Sequence, residues 1–199
     1  MPRVMLVFAT ALVALMAGAL FYAARIPTQI AFEQAPQPVT LEVVTHPAFT
    51  LPDIEGVDRE FAEWDGTHRL INFWATWCAP CRREIPLLKA FQDEYGEAGF
   101  QIIGIAVDFP DLVAPFAEEA EFNYPILTGQ QDAMAVAELS GVEFIGMPFT
   151  MIVARDGELL SAYLGELHQS HLDDIVTILS RLDRAEITSD QASAALDLL

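Results

Sequence analysis

A mixed α/β sheet with helices on both of its faces is the fold class this sequence predicts. Three observations carry that expectation. Leu70 to Trp74 and Phe100 to Val107 are apolar runs of strand length, the pattern of strands buried on both faces. Segments with helical periodicity separate the apolar runs, as in sheets whose strands alternate with covering helices. Finally, Phe149 to Val153 and Leu159 to Leu164 flank Asp156-Gly157, a preferred turn dipeptide, so the sheet should end in a hairpin.

In chain order, the first element is apolar. Val4 to Ala24 carries no charge, and at 1.5 Å per residue such a helix is roughly 30 Å long, enough to cross a bilayer core. Arg3 precedes it and no basic residue follows until Arg25, which favours an N-terminus on the cytoplasmic side with the domain outside. Ala17-Gly18-Ala19 resembles a signal-peptide cleavage site. The apolar run continues beyond it through Leu20, Phe21 and Tyr22, however, which favours an uncleaved anchor over residues 1–24. Residues 25–45 are polar with three prolines and read as a tether, able to range about 25 Å if they behave as a flexible coil. Val39 to Val44 within it alternates and could pair as a strand.

The folded domain is expected over residues 46–184. Phe49 to Leu51 reads as a short strand, Ile54 to Gly56 as a turn, and Phe61 to Trp64 as a turn or short helix stopped by Asp65-Gly66. After the Leu70 strand, a helix should run from Cys81 to about Tyr95-Gly96. Asp111 to Glu121 reads as a second helix with Pro115 near its start, and Tyr124 to Leu127 as a brief extended piece. Ala133 to Leu139 makes a third helix, ended by Ser140-Gly141. Past the hairpin, Ser170 to Leu182 places Leu172, Ile175, Val176 and Leu179 on one face of a last amphipathic helix. Residues 185–199 read as a tail with a frayed helix after Ser189 and no assigned role.

Charge narrows the partners. With 29 acidic and 10 basic residues the net charge is −19, which argues against nucleic acid and anionic lipid surfaces. The usual meaning of such a balance is a solvated acidic surface.

The chemistry is concentrated in one stretch. Cys78 and Cys81 are the chain's two cysteines, and Cys78 falls at the turn between the Leu70 strand and the following helix. Unpaired amides and the dipole at a helix N-terminus stabilise thiolate, and can lower a cysteine pKa from about 8.5 to roughly 3.5–7.5. Pro80 suits the first helical turn, where a missing amide hydrogen does little harm. A bridge closing so short a loop is a poor staple, so exchange chemistry explains the pair better. A zinc half-site would need completion by His46, His68, His168 or His171, of which only His168 and His171 have helical spacing, among polar neighbours. Haem attachment is excluded because Arg82, not histidine, follows Cys81. Glu84 lies three residues after Cys81 on one helix face. It either complements the helix dipole or, if buried, holds a proton for exchange. Trp74 reads as core, while Trp77 either shields Cys78 or only packs.

Trp77-Cys78-Ala79-Pro80-Cys81 after a strand resembles the active site of the thioredoxin superfamily. The longer string Asn72-Phe73-Trp74-Ala75-Thr76-Trp77-Cys78-x-Pro80-Cys81-x-x-Glu84-x-Pro86 is similar to its membrane-anchored branch, the TlpA/ResA-like thiol-disulfide oxidoreductases, over roughly residues 46 to 183. The resemblance implies a thioredoxin-like fold with an N-terminal hairpin extension, preceded by one transmembrane helix. It implies Cys78 as the exposed nucleophile, Cys81 as the resolving thiol and a functional glutamate at Glu84, with Asn72 standing where thioredoxins proper carry a buried aspartate. Met147-Pro148 matches the cis-proline loop that lies against the disulfide and, with Trp77, meets substrate, although the family more often has a small β-branched residue where Met147 stands. No metal or organic cofactor is implied. The expected activity is reduction of specific protein disulfides, such as those of apocytochrome c, on the periplasmic side of the inner membrane, with electrons from a membrane thiol carrier of the DsbD or CcdA type. A cytochrome c maturation specialist, a general thiol oxidant, and a non-catalytic thioredoxin-like interaction module are the alternatives.

Overall fold

A computed structural model describes residues 49–139, 141 and 144–199 of the chain. The expected membrane span over 4–24, the tether over 25–45 and the extended stretch Val39 to Val44 lie outside the described residues. Among the described residues no helix is long and apolar enough to cross a membrane.

The described chain opens with a small antiparallel pair, β1 (Thr50–Pro52) and β2 (Asp58–Glu60), followed by a 3-10 turn at Phe61–Trp64. A five-stranded sheet follows, built from β3 (His68–Trp74), β4 (Phe100–Ala106), β5 (Ile126–Thr128), β6 (Phe149–Val153) and β7 (Leu159–Leu164). Its order is β5-β4-β3-β6-β7. The first three strands are parallel, and β6 and β7 join antiparallel, which makes it the mixed sheet that the sequence predicts. Helices α1 (Ala79–Tyr95), α2 (Pro110–Ala120), α3 (Gln131–Leu139), α4 (Gln169–Asp183) and α5 (Ser189–Leu196) complete the element order.

Alternation along β3 and β4 divides the core in two. Leu70, Trp74, Ile102 and Ala106 belong to one cluster, which α1, α2, α4 and α5 cover through Leu88, Val113, Ile175 and Ala192. Ile71, Phe73, Ile103 and Ile105 belong to the other, closed by α3 and the 3-10 turn through Val136, Ala137 and Trp64. Helices therefore lie on both faces, unequally. Asn72 shares the face of Leu70 and Trp74, so it points toward the side that α1 covers.

Two elements depart from expectation. Strand β3 begins at His68, two residues before the apolar run, because both polar side chains there are buried with partners. The His68 ring lies 3.0 Å from Asp183 Oδ1, and the Arg69 guanidinium donates to Asp65 at 2.8 Å and sits 4.5 Å from the Phe61 ring centre. The second departure corrects the reading of residues 185–199. Rather than fraying, α5 is capped by Thr188, whose hydroxyl accepts from the Gln191 amide. Ala192 and Leu196 are buried in the main cluster. Ser193 donates its hydroxyl to the Leu160 carbonyl, and Ser161 donates to Asp197 at 2.6 Å. Leu196→Ala should therefore lower stability by about 2 kcal/mol, the small end for a buried leucine. Urea unfolding reads this as a lower midpoint, and an unchanged midpoint would restore the frayed reading.

Candidate active site

Helix α1 begins where the chain leaves β3 through Ala75-Thr76-Trp77. The Cys78 amide closes that turn by donating to the Ala75 carbonyl at 3.1 Å, and Cys78 becomes the N-cap of α1. Asp108, at the end of β4, ties the turn down. One of its oxygens accepts both the Thr76 amide, at 3.1 Å, and the Thr76 hydroxyl, while the other accepts the Phe109 amide at 2.8 Å. The turn that presents the first sulfur is thus held by a buried carboxylate just beyond the end of the neighbouring strand.

Cys78 and Cys81 form a disulfide with their Cα atoms 5.3 Å apart. The Cys81 amide points at Cys78 Sγ, 3.3 Å away. This is the hydrogen-bond and dipole environment that stabilises a thiolate when the bridge opens. Cys78 is 5% exposed and Cys81 fully buried, so the first sulfur is the more accessible one, though only just. Trp77 beside it is 69% exposed, which makes it a surface residue rather than a part of the core.

Glu84 is 1% exposed, which removes the reading of a solvated acid placed only to suit the helix dipole. Asn72 Nδ2 donates to Glu84 Oε1 at 2.8 Å, and the Leu167 amide donates to Oε2 at 2.8 Å. Asn72 also donates to the Thr150 hydroxyl at 3.0 Å. Burial pushes the Glu84 carboxyl up to about 7 despite the two donors that pull it down, with the nearby Glu166 carboxylate adding to the rise. Desolvation thus outweighs two good hydrogen bonds. Burial also pushes the Tyr124 phenol up, and the Glu84 charge adds to it.

The Met147–Pro148 peptide is cis, as the resemblance implies. Pro148 is buried and its carbonyl accepts the Gly165 amide at 2.9 Å, while Met147 is half-buried against the cluster that holds both sulfurs. The loop after β7 therefore fastens to the cis-proline segment through Gly165 and to α1 through Leu167. Arg83 and Glu166 add an ion pair at the surface of the same loop. Cys78, Cys81, Trp77 and Glu84 thus sit on one turn and the first turns of one helix, and Met147, ahead of the cis Pro148, packs against the cluster that holds both cysteines. His68 and the His168–His171 pair lie on other elements, and His46 is outside the described residues. Sequence reasoning did not single out Asp108, Thr150 or Leu167. Only Asp108 left a signal, as an acid directly ending a buried apolar run.

A family model described as the AhpC/TSA family matches residues 44–163. The chain belongs to the AhpC/TSA family. Among relatives, the thiol-disulfide oxidoreductase ResA of Geobacillus thermodenitrificans is 31% identical over 136 residues, spanning 66% of this chain and 76% of that one. ResA of Geobacillus kaustophilus is 30% identical over 130 residues, spanning 65% and 72%. Among solved structures, a Chlorobium tepidum chain given the designation thiol:disulfide interchange protein DsbE is 25% identical. It superposes with a TM-score of 0.60, over 69% of this chain and 95% of that one. The fold is therefore thioredoxin-like, and the chain is a thiol-disulfide oxidoreductase of the ResA-like kind. The family match ends within β7, before the loop that supplies Leu167 to Glu84.

Proposed function

We propose that this oxidoreductase reduces specific protein disulfides on the extracytoplasmic face of a membrane, anchored through residues 1–24. One observation carries the reading: Cys78 at the N-cap of α1, with a buried carboxyl poised near neutral pH three residues after Cys81. In the reduced protein the Cys78 thiolate attacks one sulfur of the substrate disulfide. That S–S bond breaks as the Cys78–substrate bond forms, and the displaced sulfur leaves as a thiolate and takes a proton. Cys81 then gives its proton to Glu84, attacks Cys78 Sγ and displaces the second substrate thiolate, which is protonated in turn. Two electrons have passed to the substrate, and the Cys78–Cys81 disulfide is the product. A dithiol on a membrane carrier of the DsbD or CcdA type reverses the last steps and restores the reduced pair.

Support for the location comes from the uncharged run Val4 to Ala24 and from the poor survival of protein disulfides in reducing compartments, which puts disulfide substrates outside the cytosol. The reduction potential tests direction. A value near that of thioredoxin, about −270 mV, is expected, and one near about −120 mV would make the chain an oxidant instead. Location has its own check. The full chain should stay with membranes through an alkaline wash and be released when residues 1–24 are deleted; a chain found free in the wash without that deletion overturns the anchor.

A further inference from the structure

A groove of about 820 Å³ runs between α1 and α2, starting at Ala79 inside the Cys78–Cys81 loop. Its apolar walls come from Ile85, Pro86, Phe116 and Ala120. Pro86 has no amide hydrogen, so the Arg82 carbonyl lacks its helical donor and the backbone is open to another chain at that point. Outside the groove lining, Phe109 and Leu112 are exposed on the segment that Asp108 ties to the turn bearing Trp77. Phe109, Leu112 and Phe116 recur at helical spacing, so an apolar stripe leads from the disulfide toward the groove.

Basic residues are concentrated along this track, above all at its end near the disulfide. In a molecule of net charge −19 with 10 basic residues, Arg82, Arg83 and Lys89 all line the groove. Arg83 is paired with Glu166. Arg82 has no acidic partner among the described residues and lies 5.7 Å from the Phe116 ring centre. Lys89 donates to the Ala120 carbonyl at 2.7 Å and forms no ion pair among the described residues, with Asp93 one helical turn beyond it. The groove's two acids, Asp93 and Glu119, fall near the C-terminal ends of the helices, away from the disulfide.

We propose that this groove seats an extended acidic stretch of the substrate polypeptide next to its reacting cysteine. The inference rests on the exchange reading above and adds the substrate's chemistry to it. Arg82 is about 6 Å and Lys89 about 16 Å along the helix from Cys78. An extended peptide covers these distances in about two and five residues, so carboxylates belong at those offsets from the substrate cysteine. The chain's overall negative charge repels acidic proteins elsewhere, which makes the cationic strip a device for orientation and selection.

Two peptides with one internal disulfide test this, identical except for Asp or Asn at the two offsets, each reduced by the full-length chain in detergent. The acidic peptide should react about fivefold faster, the scale of two exposed ion pairs. Arg82→Gln with Lys89→Gln should bring that ratio to about one, and raised salt should shrink it in the wild type. Taking the ratio cancels any effect of Arg82 on the reactivity of Cys78 itself. Equal rates in the wild type, or a preference that survives in the double variant, would overturn the groove while leaving exchange intact. If neither the peptides nor a small neutral disulfide is reduced, the exchange reading fails and the groove proposal with it. Should sedimentation show a dimer that the double variant dissolves, the groove belongs to a second copy and the substrate assignment is overturned.

Discussion

Cys81→Ser is expected to leave the chain covalently joined to its substrate, while Cys78→Ser loses exchange altogether, by on the order of a thousandfold or more. The asymmetry follows from position. Cys78 caps α1 and is the sulfur that solvent can touch, whereas Cys81 is fully buried one turn later with its amide aimed at Cys78. Serine in place of Cys78 removes the nucleophile, because an alcohol holds its proton far too tightly to attack a disulfide at neutral pH. Serine in place of Cys81 leaves attack intact and removes the group that resolves it. The mixed disulfide should appear on a non-reducing gel as a heavier band that a thiol reductant collapses. A mixed disulfide trapped by Cys78→Ser, with none formed by Cys81→Ser, would exchange the two roles.

Glu84→Gln should remove a pH dependence from stability worth about 3 kcal/mol. The folded carboxyl is pushed to about 7 from an ordinary value of 4.5. Across that window the folded protein keeps a proton that the unfolded chain has released, so the sign is fixed: this group's contribution falls as pH rises from about 4.5 to about 7 and is flat beyond. The variant carries no such proton, and should match the wild type near pH 5 and exceed it near pH 8. His68, which burial pulls below its ordinary value, contributes the opposite trend to both proteins and cancels in the difference. The substituted glutamine would place an amide nitrogen where a donor now arrives, but a flip of Asn72 offers its oxygen instead. In the reduced protein the same substitution should shift Cys78 alkylation to lower pH, because a carboxylate beside the sulfurs disfavours thiolate. Profiles that superimpose between about pH 5 and 9 would leave Cys78 tuned by the helix terminus alone.

Both predictions concern residues that local order made visible. Strand, turn, cysteine pair and helix follow one another in sequence, and the contacts that matter within them are a few residues apart. The apolar runs of β3 and β4 were legible for the same reason, since burial on both faces leaves few polar residues in the run. What failed to show depended on distant partners. His68 and Arg69 look like solvent residues until Asp183 and Phe61 are brought to them, and α5 looks polar because only Ala192 and Leu196 of its residues are buried. Glu84 could be placed on the helix, but its buried state depends on Asn72, on Leu167 from 83 residues downstream, and on the loop between β7 and α4. Asp108 is a similar case, since its hold on Thr76 spans 32 residues.

The attachment of α5 across β7 has a further meaning at the margins of the sheet. An outermost strand ordinarily offers a row of free backbone groups on which a foreign strand can build. Here Ser193 occupies the Leu160 carbonyl on one margin, and on the other β5 is met by the backbone bridge between Asp53 and Leu127 and by the Thr128 hydroxyl on the Pro52 carbonyl, 3.3 Å apart. Both margins are thereby partly sealed against strand addition. An unfolded client carrying exposed cysteines is the kind of polypeptide that would otherwise zip onto such a margin and stay. Guarding the margins leaves fewer free backbone groups there for a foreign strand, while the disulfide lies at the end of the sheet, away from both edges.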